Sequence, residues 1–307
     1  ENAHFWSLIG DSEFREGSLL EAMPDLAERL LGNVTWIIDY NRQNLDGTRI
    51  PNERGLEQTD AERIEQTSLA NGWRVIQVRH GKLREAIFKG EGGDAIREVL
   101  ERGLTDYEFQ MLVLKRDAEA ARRVFAEKHA GTKAGMKALS DDEVICMLLD
   151  MGGHCYESIR EALARSREES DEPYMIIAHT LKGWGLECLA DPANHSTLPK
   201  GGEIEAILGE HGLSLEDPFQ RFAEGTEESD FLMARRDVFR AGMDEHEALR
   251  KRNKAKVQAD IAAAGPIPES LDIDLSLFPI AHTQWMWGQL AAKLVRISSM
   301  CRHARTL

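Results

Sequence analysis

No run of about 18 consecutive apolar residues occurs in the sequence, which excludes a membrane-spanning helix. The opening residues, Glu1-Asn2-Ala3-His4, have neither the basic start nor the apolar stretch of a secretory leader. Because an initiator methionine is also missing, the expectation is a piece of a longer chain. Positive charge is in deficit: 38 Lys and Arg stand against 53 Asp and Glu, a formal net charge of -15. A surface of that sign repels phosphate backbones and acidic lipid, so no nucleic acid and no membrane is expected as a partner. Cysteine is sparse. Cys146, Cys155, Cys188 and Cys301 lie far apart without a CxxC pair or zinc-ligand spacing, which points to reduced thiols in a cytoplasmic protein. No GxGxxG follows any strand. The stretch Gly90-Glu91-Gly92-Gly93 reads instead as a turn before a helix capped by Asp94, against a nicotinamide-binding fold. Internal repeats and low-complexity tracts are likewise missing.

What is present suits a globular protein with a substantial core. At roughly 150 residues per domain, the 307 residues suggest two domains, and 42% of them are hydrophobic. Four short apolar runs read as strands: Phe5-Trp6-Ser7-Leu8-Ile9, Val34-Thr35-Trp36-Ile37-Ile38, Trp73-Arg74-Val75-Ile76-Gln77-Val78 and Tyr174-Met175-Ile176-Ile177-Ala178. Each is nearly continuous in branched or aromatic residues, as expected of a strand covered on both faces. Helical patterns lie between them, over 18–31, 61–71, 93–103 and 155–169. In the first, Leu19, Met23, Leu26, Ala27 and Leu30 form one stripe, Ser18 and Glu21 are spaced as a capping box, and Pro24 predicts a kink or a late start. Strands alternating with such helices predict an α/β fold, a parallel sheet with flanking helices. From 225 to 260 the chain is strongly charged, and 245–263 reads as a solvated helix. Gly265-Pro266-Ile267-Pro268 reads as a linker, Trp285 opens a new amphipathic helix running to Val295, and 298–307 has no clear pattern.

The segment with most chemistry is Gly10-Asp11-Ser12-Glu13, directly after the first strand, followed 30 residues after Asp11 by Asn41 at the end of the second. In a parallel α/β unit both fall at the carboxyl ends of adjacent strands, where such sheets bind ligands. A carboxylate and an amide carbonyl are hard oxygen ligands suited to Mg²⁺, which commonly also takes phosphate oxygens. Backbone N–H groups of the Gly10–Glu13 turn could cradle a diphosphate. The alternative on spacing alone is that Asp11 and Asn41 cap a helix and a turn.

The segment Gly10-Asp11-Ser12-Glu13 through Asp39-Tyr40-Asn41-Arg42-Gln43 resembles the GDG-to-N motif of thiamine diphosphate enzymes. Phe14-Arg15-Glu16-Gly17 is similar to the acidic segment of transketolases. Further segments resemble the homodimeric pyruvate dehydrogenase E1 component, in that family's order. They are Asn41-Arg42-Gln43-Asn44-Leu45-Asp46-Gly47, Asn71-Gly72-Trp73-Arg74-Val75-Ile76, Gly152-Gly153-His154, Ala178-His179-Thr180-Leu181-Lys182-Gly183-Trp184-Gly185 and Phe222-Ala223-Glu224-Gly225-Thr226-Glu227-Glu228. The resemblance covers residues 5 to about 235, with a weaker continuation to about 295.

It implies the thiamine diphosphate-binding fold, incomplete at both ends. Residues 1–224 would be most of the diphosphate- and Mg-binding α/β domain, 225–280 a charged helical linker, and 281–307 the start of a pyrimidine-binding-like domain. Asp11 and Asn41 would bind Mg²⁺ by side chain and Gln43 by its backbone carbonyl. Gly10, Ser12, Glu13, Asp39 and Lys182 would contact the cofactor, Lys182 neutralising the diphosphate unless it is a solvated loop lysine. His195, in the polar loop 191–197, would be the catalytic proton-transfer residue or else an ordinary surface histidine. His179 and His154 are expected to be structural.

Ser12 departs from the family pattern, replacing a glycine that permits close approach or positive φ. No residue is assigned to the glutamate that activates the cofactor in the family. The implied activity is oxidative decarboxylation of pyruvate or a close 2-oxo acid, with acetyl transfer to the lipoyl group of an acyltransferase (E2) partner by a homodimer. Transketolase-like ketol transfer and a non-catalytic module are the alternatives.

Overall fold

A computed structural model describes residues 3–44, 47–48, 60–191, 193–264 and 283–303. The chain divides into two compact units, Glu1–Pro218 and Phe219–Leu307. In the first unit, strands β1 (Phe5–Gly10), β2 (Val34–Tyr40), β5 (Arg74–Val78) and β6 (Tyr174–His179) form one parallel sheet in the order β1-β2-β6-β5. Two short strands, β3 (Gln43–Asn44) and β4 (Gly47–Thr48), pair antiparallel just beyond β2. The sheet is the predicted parallel α/β arrangement, and all four apolar runs are its strands.

Position in the sheet decides how much of each run is covered. The last strand in sequence, β6, lies between β2 and β5, and all six of its residues are buried, as the Tyr-Met-Ile-Ile-Ala run requires. β2, between β1 and β6, is mostly buried. β1, at an edge, departs from expectation: Phe5 is 60% exposed and Leu8 76%, while only Ile9 is buried. The same apolar composition therefore belongs to a covered strand at the centre and to an open one at the edge, because only a neighbouring element removes it from water.

Helix α1 (Gly17–Glu28) connects β1 to β2 and α2 (Asp60–Ala70) leads into β5. Met23, Trp36, Ile38, Trp73 and Met175 form the core beneath them. Trp73 donates its indole N–H to the Met23 carbonyl at 2.9 Å. The Ser18–Glu21 capping box does not form. Helix α1 starts at Gly17 with Glu16 as its N-cap, so Ser18 already lies in the first turn, and Pro24 sits inside the helix without ending it.

Between β5 and β6 runs a helical layer: α3 (Lys82–Phe88), α4 (Gly93–Glu98), a π-helical turn over Val99–Gly103, α5 (Asp106–Lys115), α6 (Ala118–Lys128), α7 (Thr132–Ala138), α8 (Asp141–Leu149) and α9 (Tyr156–Arg165). The expected cap at Asp94 is also displaced: Gly92, in the left-handed region at φ 70°, caps α4, and Asp94 falls in its first turn. Thr105 with Glu108 and Ser140 with Glu143 form complete capping boxes at the starts of α5 and α8. Phe109, Val113, Phe125, Met136, Val144 and Met147 bury the largest apolar cluster of the unit between these helices. Helix α10 (Gly201–Glu210) closes this part of the chain.

The second unit contains α11 (Glu227–Ala264) and α12 (Thr283–His303). Thr226 Oγ1 accepts the Ser229 N–H at 3.2 Å, and Glu227, Glu228 and Asp230 crowd the first turn of α11, where negative charge favours the helix dipole. The solvated helix expected over 245–263 is thus the second half of a 38-residue helix. Where no pattern was legible after Ser298, α12 continues to His303. The Gly265–Pro268 linker reading lies outside the described residues.

Candidate cation and phosphate site

β1 and β2 end side by side, Gly10 pairing with Asp39 and the Asp11 N–H donating to the Asp39 carbonyl at 3.2 Å. Asp11 is buried, and its Oδ2 accepts the backbone N–H of Arg42 at 2.8 Å. Asn41 Oδ1 accepts the Gln43 N–H at 2.9 Å, closing an Asx-turn, and its amide nitrogen donates to Asp39 Oδ2 at 3.1 Å. Arg42, between them, takes φ 66°, the left-handed turn that brings Gln43 back toward β1. The Ser12 hydroxyl lies 3.5 Å from Asp11 Oδ1 and 3.4 Å from the Gln43 carbonyl oxygen.

Asp11, Ser12, Asn41, Gln43 and Asp39 are therefore gathered in one place. Both Asp11 and Asn41 hold the local backbone; a carboxylate has about four acceptor sites and an amide oxygen two. Among the described residues no three His, Cys, Asp or Glu side chains converge on a metal position. A cation at this point would draw on amide, hydroxyl and carbonyl oxygens as well as the Asp11 carboxylate.

Gly10 and Glu13 engage each other: the Gly10 N–H donates to Glu13 Oε2 at 2.7 Å, so this amide serves the turn itself. Ser12 has φ −75° and ψ −35°, ordinary right-handed backbone, so replacing a glycine there brings no strain. A cavity opens beside Asp11, lined by Phe14, Arg15, Leu20, Arg63 and Ile64. Arg15 and Arg63 both pair with Asp60 at its rim.

The end of β6 supplies the other side. The Thr180 N–H donates to the Tyr40 carbonyl at 3.1 Å and its hydroxyl to Asp39 Oδ1. Lys182 follows two residues later. The loop after it is tied back by Asn194, whose amide donates to the Lys182 carbonyl at 2.7 Å, and by Gln43 Nε2, which donates to the Asp191 carbonyl at 2.6 Å. That bond joins the loop carrying His195 to the strand end carrying Asn41 and Gln43. Lys182 Nζ lies 2.9 Å from Nδ1 of the exposed His195. A lysine ammonium only donates, so Nδ1 accepts and the proton of neutral His195 sits on Nε2.

Two groups escaped the sequence reading. Arg42 is buried, and its guanidinium reaches Asp106 Oδ1 at 3.0 Å, His179 Nδ1 at 3.0 Å and the Thr180 carbonyl at 3.3 Å, stacked 4.7 Å over the Tyr40 ring. Gln77 completes the chain, 2.8 Å from His179 Nε2. Burial, and then the nearby arginines, push the His179 pKa well below the usual histidine value, so it is a neutral link in this network. His154 accepts the Leu181 N–H at 2.8 Å and stacks on Trp184, and burial lowers its pKa as well. An arginine between two ligand-type residues was the available signal for Arg42; its partners lie 64 and 137 residues away.

No protein-family model matches the chain. It is similar to curated proteins named pyruvate dehydrogenase E1 component. The one from Buchnera aphidicola subsp. Baizongia pistaciae is 28% identical over 206 residues, 67% of this chain and 22% of the relative. Those from Corynebacterium glutamicum and Escherichia coli K12 are 28% and 26% identical over 60% and 75% of this chain, and 19% and 26% of their own lengths. The chain thus spans about a fifth to a quarter of the length of these relatives. Among solved structures, transketolase from Leishmania mexicana overlaps with a TM-score of 0.44 at 16% identity, covering 88% of this chain and 30% of its own. Over roughly two thirds of its length, then, the chain with this oxygen-lined strand junction is similar to proteins named pyruvate dehydrogenase E1 component.

Proposed function

We propose that this chain carries the magnesium- and diphosphate-binding half of a thiamine diphosphate enzyme of the E1 type. The observation that supports this best is the junction of Asp11 with the Asn41–Gln43 turn at the carboxyl ends of adjacent parallel strands, in a chain similar to E1 components. The residues present fit such a group. Their oxygens are hard donors, the kind Mg²⁺ takes in preference to nitrogen or sulfur. Gln43 Oε1, in a buried side chain, has no hydrogen-bond partner among the described residues, as an acceptor beside a bound group would.

In this reading Asp11 and Asn41 hold Mg²⁺ by side chain and Gln43 by its carbonyl. The Ser12 and Glu13 N–H groups face the diphosphate, and Gly10 joins them once the Glu13 carboxylate swings away. Asp39, held by Asn41 and Thr180, orients Asn41. Lys182 neutralises phosphate charge. Thiamine diphosphate supplies, when bound, the nucleophilic carbon and the electron sink for decarboxylating a 2-oxo acid. His195, with Lys182 against Nδ1, would offer its Nε2–H as a hydrogen bond to the reacting oxygen. The substrate is pyruvate or a close 2-oxo acid. The acetyl acceptor is a lipoyl group on an acyltransferase partner, and the complete protein works as a cytoplasmic homodimer.

The test is calorimetric titration of thiamine diphosphate into the 307-residue chain with Mg²⁺ and with chelator. Binding should require the metal, and Asp11→Asn should weaken it on the order of 100-fold while the far-UV circular dichroism stays unchanged. Metal-independent binding, or binding indifferent to Asp11→Asn in a folded protein, would overturn the reading.

A further inference from the structure

We infer that the Ser12 hydroxyl is itself a ligand of the divalent cation. This rests on the proposal that Asp11, Asn41 and Gln43 hold that cation, and goes beyond it in assigning a fourth protein oxygen. Ser12 Oγ sits 3.5 Å from Asp11 Oδ1 and 3.4 Å from the Gln43 carbonyl, two of the three proposed ligand groups. Of these three oxygens only the hydroxyl has a proton to give, and both approaches are long for O–H···O bonds, which centre near 2.7–2.8 Å. Ser12 Oγ therefore lies beside a carboxylate oxygen and a backbone carbonyl oxygen, and all three are hard donors of the kind Mg²⁺ takes.

Octahedral Mg²⁺, with bonds of 2.0–2.1 Å, sets neighbouring ligand oxygens about 2.9 Å apart. The two approaches of the hydroxyl therefore need to shorten by only about half an ångström around the ion. The backbone at Ser12 is relaxed, at φ −75° and ψ −35°, so the residue is not there to rescue or distort the turn. What it adds over glycine is the oxygen. A serine hydroxyl is an established Mg²⁺ ligand beside a phosphate-binding turn. Three protein oxygens leave three of six octahedral places for diphosphate oxygens and water, and the hydroxyl takes the place of one water.

The test measures Mn²⁺ binding by electron paramagnetic resonance on the 307-residue chain with thiamine diphosphate at fixed concentration, with fold checked by circular dichroism. Ser12→Ala and Ser12→Gly should each weaken Mn²⁺ binding on the order of tenfold. Ser12→Cys, close in shape but soft in its donor atom, should shift the preference from Mn²⁺ toward Cd²⁺ by at least about tenfold. If Asp11→Asn abolishes Mn²⁺ binding while Ser12→Ala and Ser12→Gly bind as tightly as the parent or more tightly, the hydroxyl is no ligand and the cation site stands without it. If Asp11→Asn leaves Mn²⁺ binding intact, the underlying site reading falls and this inference with it. A cysteine variant with unchanged metal preference also overturns the assignment.

Discussion

Arg42 takes the left-handed backbone that costs a non-glycine residue roughly 1 kcal/mol, and its guanidinium is inserted among Asp106, His179, Thr180 and Tyr40. The ion pair with Asp106 is 3.0 Å long, with side chains only 9% and 15% exposed, so solvent screens it little. Removing one partner leaves the other charge buried and unpaired, which is the costly case. Arg42→Ala should lower unfolding stability by about 3 kcal/mol, read from urea denaturation. Arg42→Lys should not restore it, because a lysine cannot reproduce the planar fork that meets a carboxylate, a ring nitrogen and a carbonyl together. A loss under about 1 kcal/mol would match a surface-type pair instead. At this scale the residue types were legible: the carboxylate after β1 and the amide after β2 stand out by chemistry and strand-end position. The partner of Arg42 was not, because Asp106 is distant in sequence and sits in a helix with no local mark of the pairing.

At the scale of elements, the Gly152-Gly153-His154 segment owes its composition to close approach. It forms a short 3-10 turn against the ends of β5 and β6. A Cβ on Gly153 would lie 2.5 Å from Thr180 Cγ2 and 2.6 Å from the His179 carbonyl oxygen. One on Gly152 would lie 2.5 Å from the Val78 carbonyl oxygen. Backbone cannot yield as a flexible side chain does, so Gly153→Ala should cost about 2 kcal/mol, seen as a lower calorimetric melting temperature. Gly17→Ala, at the open start of α1 with nothing within 4 Å, should cost nothing. Capping patterns show why element boundaries were only partly readable. Thr105–Glu108 and Ser140–Glu143 make boxes, whereas Ser18–Glu21 has the same spacing and makes none. After the 3-10 turn over Glu13–Arg15, α1 starts two residues too early for Ser18 to cap it.

Across the whole molecule, β1 is an edge of the described sheet and exposes Phe5, Trp6 and Leu8. An exposed, apolar edge strand is a template for pairing with another chain, and charged residues are the usual means of blocking it. Leu8→Lys should raise the soluble, non-scattering fraction of the 307-residue chain without lowering its melting temperature, since Leu8 is already 76% in water. Ile9→Lys, at 6% exposure, should unfold it. Light scattering at matched concentrations checks both, and equal aggregation of Leu8→Lys and parent would remove β1 from suspicion.

By itself the sequence determined what depends on local period and residue chemistry. It set four apolar strands with helices between them, and an aspartate and an asparagine at the ends of the first two. The run of segments similar to E1 components was legible there as well. Only the tertiary structure decided the strand order β1-β2-β6-β5, which lays the end of β6 against the end of β2, Thr180 on Asp39 and His179 by Arg42. The physical reason is range. Hydrophobic periodicity reports which face of an element seeks cover within a few residues. The partner of a buried charge and the neighbour of a strand are chosen by desolvation and packing between segments more than 60 residues apart, which no local pattern encodes.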